Sequence, residues 1–398
     1  MTVPPPAMNL VVADRERLLL ALKETHDLKH VSIDPHMLRK LPGALRAERG
    51  SVTLTLNPKR KIVDINAGDG AGLFGIAFDL GSTTVVAFLI DLTNGHMISV
   101  RAALNPQINH GDDVITRISF CNETKDGLQT LRGMVVNCLN TLIAETAGEV
   151  GISPDQILEA TLVGNTAMHH LFMGMDPKYL AMAPYTPVLQ DSQNLDAQAL
   201  SLDIGPSANV HLLPLKAGFV GSDTIACILA TGLHRSKSLT LLIDLGTNGE
   251  IVFGNRDRMV CCSTAAGPAF EGGHLRWGMR ASPGAIERVR IDADILDVTW
   301  KTIGQNKPVG ICGSGVISAV AEMIRAGIIL ARGNFDQDIQ TDRLRDGEDG
   351  LEFILARASE TNVGQDVVIT QRDVSELQMA KSAIHAGSTL LMEQWKNG

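Results

Sequence analysis

The sequence predicts an α/β protein made of two related halves around a shared cleft, preceded by a small α+β domain. Three observations predict it. Hydrophobic residues make up 44% of the chain and aromatic residues only 4%, with 38 glycines, a balance that suits strands, helices and tight turns better than an aromatic-rich sandwich. Period-two and helical apolar patterns follow one another along the chain. The triplet Asp79-Leu80-Gly81 recurs as Asp244-Leu245-Gly246, each copy closing an apolar run.

Residues 1–70 read as the small α+β domain. Asp14 is placed to cap a helix carrying Leu18, Leu19 and Leu22, and a second helix carries Leu38, Leu41 and Leu45. Residues 52–56 alternate with period two, residues 62–65 make a partner strand, and the glycine-rich residues 68–72 form a linker.

The first half is expected over residues 71–235. Its strand around Ile76 and Phe78 ends in Asp79-Leu80-Gly81-Ser82-Thr83-Thr84, and further strands lie near 85–89 and 97–101. Helices follow at about 111–120 and 128–150, the latter with Leu131, Val135, Cys138 and Leu142 on one stripe. A strand over 160–163 then turns through Gly164-Asn165-Thr166 into another helix.

The second half is expected over residues 236–398. A buried-type strand ends in Asp244-Leu245-Gly246-Thr247-Asn248-Gly249, with strands at 250–253 and 259–263. A helix follows Gly313-Ser314-Gly315, and a long one over 373–395 has Asp373 and Glu376 as its capping pair. By analogy with the first half, a further strand and glycine loop would complete this one, so the second half reads as incomplete.

The two Asp-Leu-Gly turns carry the chemistry. A polyphosphate needs backbone N–H groups that can come close, and glycine permits that approach while successive amides form an anion nest. Ser82, Thr83, Thr84 and Thr247 add hydroxyl donors, and Asn248 an amide. A carboxylate at a strand end can hold Mg²⁺ through water, which assigns Asp79 and Asp244 to the metal and to catalysis. A single such turn would be read as a plain hairpin; two in the same strand-turn-strand frame favour phosphate. Gly313, Ser314 and Gly315 open a helix and form a third candidate phosphate loop, though glycines there also serve close packing. Asn105, Asp112, Asp113, Asn165, Thr166, Glu250 and Glu271 are the polar residues expected to face the cleft, with Glu271 a candidate to orient the attacking water. Asp112 and Asp113 fit a helix N-terminus as well. His169 and His170 are adjacent on a helix and cannot both face one metal, so a structural or solvated role is expected.

Charge and cysteine usage narrow the partners. A formal net charge of −9 argues against nucleic acid, which needs a basic face. Residues 1–8 resemble neither a signal peptide nor an anchor, and no apolar stretch approaches the roughly 20 residues of a membrane span. A cytoplasmic protein is expected. The six cysteines, Cys121, Cys138, Cys227, Cys261, Cys262 and Cys312, lack any recognisable ligand spacing and read as reduced structural thiols.

Ordered blocks along the whole chain carry a family resemblance. They include 3–6, 38–42, Phe78 to Thr84, Asn105-Pro106-Gln107, 111–115 and 164–171. Others are 217–224, 265–272, 278–281, 310–315 and 378–387. Together they resemble the reductive activators of corrinoid proteins, with a duplicated actin/Hsp70/sugar-kinase-like (RNase H-like) core, the ASKHA type. The resemblance implies ATP and Mg²⁺ as cofactors, a corrinoid protein as partner, a homodimer, and ATP hydrolysis coupled to reduction of Co(II) to Co(I). It also implies a plant-type [2Fe–2S] domain, whose cysteine series this sequence lacks, and a closing adenosine-contact segment beyond residue 398. Alternatives of the same superfamily are a small-molecule kinase, for which Asp112 or Asp113 would serve, and a non-enzymatic actin-like scaffold. A cluster-bridging activator of a dehydratase is a further one.

Overall fold

The computed structural model describes residues 1–6, 11–70, 72–348 and 350–397. Ala7 and Met8 of the N-terminal stretch, Ala71 of the expected linker and Gly398 lie outside them. The chain forms two compact units, Met1–Cys227 and Ile228–Gly398.

The first unit opens with α1 (Asp14–His26), β1 (Ser32–Ile33), α2 (Pro35–Ala47), β2 (Val52–Leu56) and β3 (Lys61–Ala67). The strands pair in the order β1-β3-β2, and Leu18, Leu22, Met37, Leu41, Leu45, Val52, Ile62 and Ile65 fill the core between helices and sheet. Asp14 does not cap α1. Ala13 holds that position without a side-chain bond, and Asp14, one residue inside, is paired with Arg17 and Arg46. Those cations, Arg46 foremost, outweigh its partial burial and lower its pKa. Asp34 is the true cap of this region, accepting from the Met37 amide at 2.9 Å.

A six-stranded sheet follows, with β4 (Phe74–Leu80), β5 (Thr84–Asp91) and β6 (His96–Leu104) as an antiparallel meander. Helices α3 (Val114–Glu123) and α4 (Gly127–Val150) then lead to β7 (Ile157–Gly164), which pairs parallel with β4. After α5 (Thr166–Met173) come β8 (Gln193–Asp196), α6 (Ala197–Leu200), β9 (Asn209–Leu212) and α7 (Ser222–Thr231). The sheet order is β6-β5-β4-β7-β9-β8, so β4 lies in the middle. The apolar stripe of α4 packs as expected: Leu131, Val135 and Leu142 are buried, with Cys138 partly buried against the same core.

The second unit begins with β10 (Thr240–Leu245), β11 (Gly249–Gly254) and β12 (Met259–Thr264), another antiparallel meander. Two further three-stranded sheets follow: β13 (Ala285–Ile291), β14 (Val298–Thr302) and β15 (Gly310–Ile311), then β16 (Leu344–Gly347), β17 (Gly350–Ala356) and β18 (Val367–Thr370). Between them runs α8 (Gly313–Arg325), and α9 (Gln371–Asn397) closes the chain. Two expectations need correction. The strand β10 is not buried through its length: it stands at the end of its sheet order, and Leu241, Ile243 and Leu245 are 37%, 39% and 44% exposed. The long helix starts at Gln371, and its capping pair is Thr370 with Asp373. The Thr370 hydroxyl accepts from the Asp373 amide at 3.1 Å, and the Asp373 carboxylate accepts from the Thr370 amide at 2.9 Å. This reciprocal arrangement needs a hydroxyl three residues before the acid; Asp373 and Glu376 have the spacing but no hydroxyl, and Asp373 already lies inside the helix as the acid of the pair.

Candidate functional site

In the first unit, β4 alternates its side chains, so Asp79 is exposed between buried Phe78 and Leu80. The turn after it is closed by the Gly81 N–H on the Thr84 carbonyl at 3.0 Å. A Cβ at Gly81 would stand 2.5 Å from that same oxygen, so only glycine fits. Ser82, Thr83 and Thr84 complete the turn at its partly exposed rim.

Asn105 was expected to face a cleft and instead is fully buried beneath this turn. Its Nδ2 donates to the Gly81 carbonyl at 2.8 Å, while its Oδ1 accepts from the Gln107 amide at 3.0 Å. Arg117, on α3, is buried alongside and donates to the Ser82 carbonyl, to Gly111 O at 2.9 Å and to Gln107 Oε1 at 3.3 Å. Burial lowers its pKa to about 10, opposed by the charges of Asp113 and Asp112. Sequence reading missed Arg117 because one arginine on a helix is normally a solvated one; the signal was its place beside buried Ile118, on the turn that follows Asp113.

The parallel partner strand β7 brings a second turn alongside, with Gly164 opposite Leu80. Asn165 caps α5, its side chain accepting from the Met168 amide at 3.0 Å. Thr166 does not face a cleft: it is buried, donating to Ala217 O at 2.6 Å. Ser222 bonds Gly164 at 3.0 Å, and Gly221 lies so close that a Cβ there would be 2.5 Å from Asn165 Cα. Segment 217–222 thus clamps the turn from behind. Asp113 takes the helix-terminus role, capping α3 on the Thr116 amide at 2.8 Å, while Asp112 is exposed.

His169 and His170 are both buried, which excludes the solvated role. Nε2 of His170 accepts from the Val188 amide at 3.0 Å, so Nδ1 carries the proton given to Thr166 O at 2.7 Å. Both ring nitrogens of His169 are without a hydrogen-bond partner among the described residues. Burial, and then neighbouring His170, lower its pKa to about 4.

The second unit builds its turn in the same way. The Gly246 N–H is bonded to the Asn248 carbonyl at 3.0 Å. The Thr247 hydroxyl donates to Glu271 Oε2 at 2.7 Å. Glu271 ends a short helical turn, Pro268–Glu271, that packs on the start of α8: a Cβ at Gly313 would be 1.7 Å from Phe270 O, and one at Gly315 would be 2.0 Å from Ile286 O. Close packing therefore accounts for both glycines, and it sets Gly313 beside Glu271, whose Cα would lie 3.5 Å from a Cβ there. Asp244 and Glu250 are direct cross-strand partners and share one face of the sheet. Ser263, opposite Glu250 on β12, donates to Glu250 Oε1 at 3.0 Å.

All six cysteines are free of disulfides. Burial raises the thiol pKa of Cys121 to about 11 and raises those of Cys138 and Cys262 too, which keeps these thiols protonated and inert. Among the described residues no group of three or more His, Cys, Asp or Glu could hold a metal ion, and no helix is long and apolar enough to cross a membrane.

Comparison with known proteins places this geometry. Three family models tile the chain: the RACo linker region over residues 1–72, the RACo middle region over 74–236, and the C-terminal domain of RACo, the ASKHA domain, over 238–397. The chain is 40% identical over 330 residues to the corrinoid activation enzyme RamQ of Eubacterium limosum, covering 81% of this chain and 55% of that protein. It is 26% identical over 351 residues to a Co(II) methylated amine-specific corrinoid protein reductase of Methanosarcina barkeri, covering 81% and 60%. A solved reductive activator for corrinoid, iron–sulfur protein superposes with a TM-score of 0.89 at 40% identity over 99% of this chain and 63% of that one. The chain thus spans less than two thirds of each of these relatives. With all three regions matched in order, it belongs to the RACo family.

Proposed function

We propose that this chain is the nucleotide-driven part of a reductive activator of a corrinoid protein, coupling ATP hydrolysis to return of Co(II) to Co(I). The observation that carries the reading is the duplicated turn: each strand ending in Asp-Leu-Gly is closed by the glycine N–H on a carbonyl two or three residues on. Family membership and the corrinoid-directed names of the relatives support the partner.

The residues present fit a magnesium-bound polyphosphate. Asp244 and Glu250 sit directly opposite on one sheet face, two carboxylates of the kind a hard cation takes. Asp79 in the first unit and Asp244 in the second are each, taken singly, a carboxylate suited to Mg²⁺, which when bound screens the charge of the phosphates. Glu271 is oriented by the Thr247 hydroxyl to accept a proton from water, as a general base must be. Ser82, Thr83, Thr84, Asn165, Asn248 and the start of α8 at Ser314 supply neutral donors. The residues do not fit an iron–sulfur cluster: the six cysteines lack the ferredoxin spacing. The reducing electron in this reading therefore reaches the corrinoid by a route that uses none of them.

ATP can drive an uphill reduction only if the nucleotide states differ in their affinity for the corrinoid partner. The test uses the full-length protein with a reductant and a Co(II) corrinoid protein, following Co(I) by its visible absorption. Activation should require MgATP and be lost in Asp79→Asn and Asp244→Asn. Equal activation without nucleotide overturns the reading.

A further inference from the structure

We propose that Arg117, together with Asn105, is a positioning residue that holds the turn after β4 with its amides outward, as a seat for the phosphates of a nucleotide. The inference rests on the nucleotide reading above.

Three consecutive carbonyls of that turn are captured from the protein interior. Gly81 O accepts from Asn105 Nδ2 at 2.8 Å, Ser82 O accepts from Arg117 Nη2, and Thr83 O accepts from the Asn105 backbone N–H at 2.9 Å. A trans peptide is planar, with its N–H pointing opposite to its C=O, and the one cis bond among the described residues is Ala183–Pro184. The peptides whose carbonyls turn inward at Gly81 and Ser82 therefore direct the N–H groups of Ser82 and Thr83 to the other side. Successive amides facing one way form an anion-binding concavity.

Both donors are themselves fixed. Gln107 holds Asn105 by its backbone N–H, and its own Nε2 is anchored on Leu131 O at 2.9 Å within the core. Arg117 is fully buried, and the acceptors it meets, Gly111 O, Ser82 O, Gln107 Oε1 and Met168 Sδ, are all neutral. A buried guanidinium bonded to neutral acceptors carries a desolvation penalty that hydrogen bonds only partly offset. Placed directly behind the turn, its charge and its fork of fixed donors both favour an anion in front. An apolar side chain there would leave Ser82 O, Gly111 O and Gln107 Oε1 without this donor, so the orientation of the turn depends on the guanidinium.

The test measures binding of MgATP and of inorganic tripolyphosphate to the purified chain and to Arg117→Met and Arg117→Lys. Loss of the correct amide orientation should weaken both ligands in Arg117→Met by about tenfold or more, the scale of a misplaced hydrogen-bond set, and Arg117→Lys should recover part of it. Unchanged affinity in folded Arg117→Met overturns the positioning role and leaves the nucleotide reading standing. Failure of the unaltered chain to bind either ligand overturns both. If Arg117→Met does not fold, the amide resonances of Ser82 and Thr83 in the unaltered chain decide. They should move on addition of tripolyphosphate, and resonances that stay put overturn the inference.

Discussion

The Thr247 hydroxyl donates to Glu271 Oε2 at 2.7 Å across 24 residues of chain, tying the second Asp-Leu-Gly turn to the helical turn that packs on the start of α8. A displacement of this turn would thereby reach the carboxylate proposed to activate water. Glu271→Gln keeps this bond and should lower ATP hydrolysis by about a hundredfold or more, the usual contribution of a general base, with nucleotide binding retained. Thr247→Val removes the orienting donor and should cost less, about tenfold, since the base survives but loses its aim. Steady-state phosphate release checks both; equal rates in all three proteins remove Glu271 from the mechanism.

Gly313 packs where any side chain would meet the Phe270 carbonyl. Gly313→Ala should destabilise the second unit by about 1–3 kcal/mol, the range for forced overpacking. It should also shift Glu271, whose Cα lies 3.5 Å from the same Cβ position. Thermal unfolding and hydrolysis rate together check this, because an effect on stability without one on rate would separate α8 from the site.

Asp244 and Glu250 face each other across β10 and β11. Removing one charge with Asp244→Asn should raise the magnesium concentration needed for half-maximal nucleotide binding by about tenfold or more, one anion fewer for a hard cation. A magnesium titration with a fluorescent nucleotide analogue checks this.

His169 makes the fold sensitive to acid. The free imidazole titrates near 6.5, and this buried ring near 4. The unfolded chain therefore binds a proton between these values that the folded chain refuses. Stability from this group is complete above about pH 6.5 and declines as pH falls toward 4, by on the order of 3 kcal/mol. His169→Leu, which also removes two buried nitrogens that have no hydrogen-bond partner among the described residues, should flatten the acid limb of a denaturation series. An unchanged slope would assign the acid sensitivity elsewhere.

Asp34 holds the small N-terminal sheet to the six-stranded one. It caps α2, accepts from Ser207, and pairs with Lys61 at 3.4 Å, which also bonds Asp196 at 2.7 Å. Burial raises its pKa, but the Ser207 hydroxyl, the Met37 amide and Lys61 outweigh it and hold the carboxyl below its ordinary value. Its contribution is present above about pH 4 and is lost as pH falls through the depressed value. Asp34→Ala should cost about 1–3 kcal/mol at neutral pH, read by chemical denaturation.

What the amino-acid sequence determined alone was the element order and the repeat. The period-two run at 52–56 and its expected partner at 62–65 became β2 and β3, the apolar stripe from Leu131 to Leu142 became α4, and both Asp-Leu-Gly turns fell at strand ends, because these patterns are local and need only a neighbour to bury against. Capping was read less well: Asp14 and the Asp373–Glu376 pair were each displaced, since many polar residues near a helix start satisfy the composition rule and only backbone geometry selects one. Tertiary structure alone decided which polar residues support the turns from within. Asn105 and Arg117 lie 24 and 35 residues from the carbonyls they hold, and Glu271 lies 24 from Thr247. Such partnerships depend on how strands and helices are brought together in space, and no spacing along the chain encodes the burial that makes a side chain a support rather than a solvated charge.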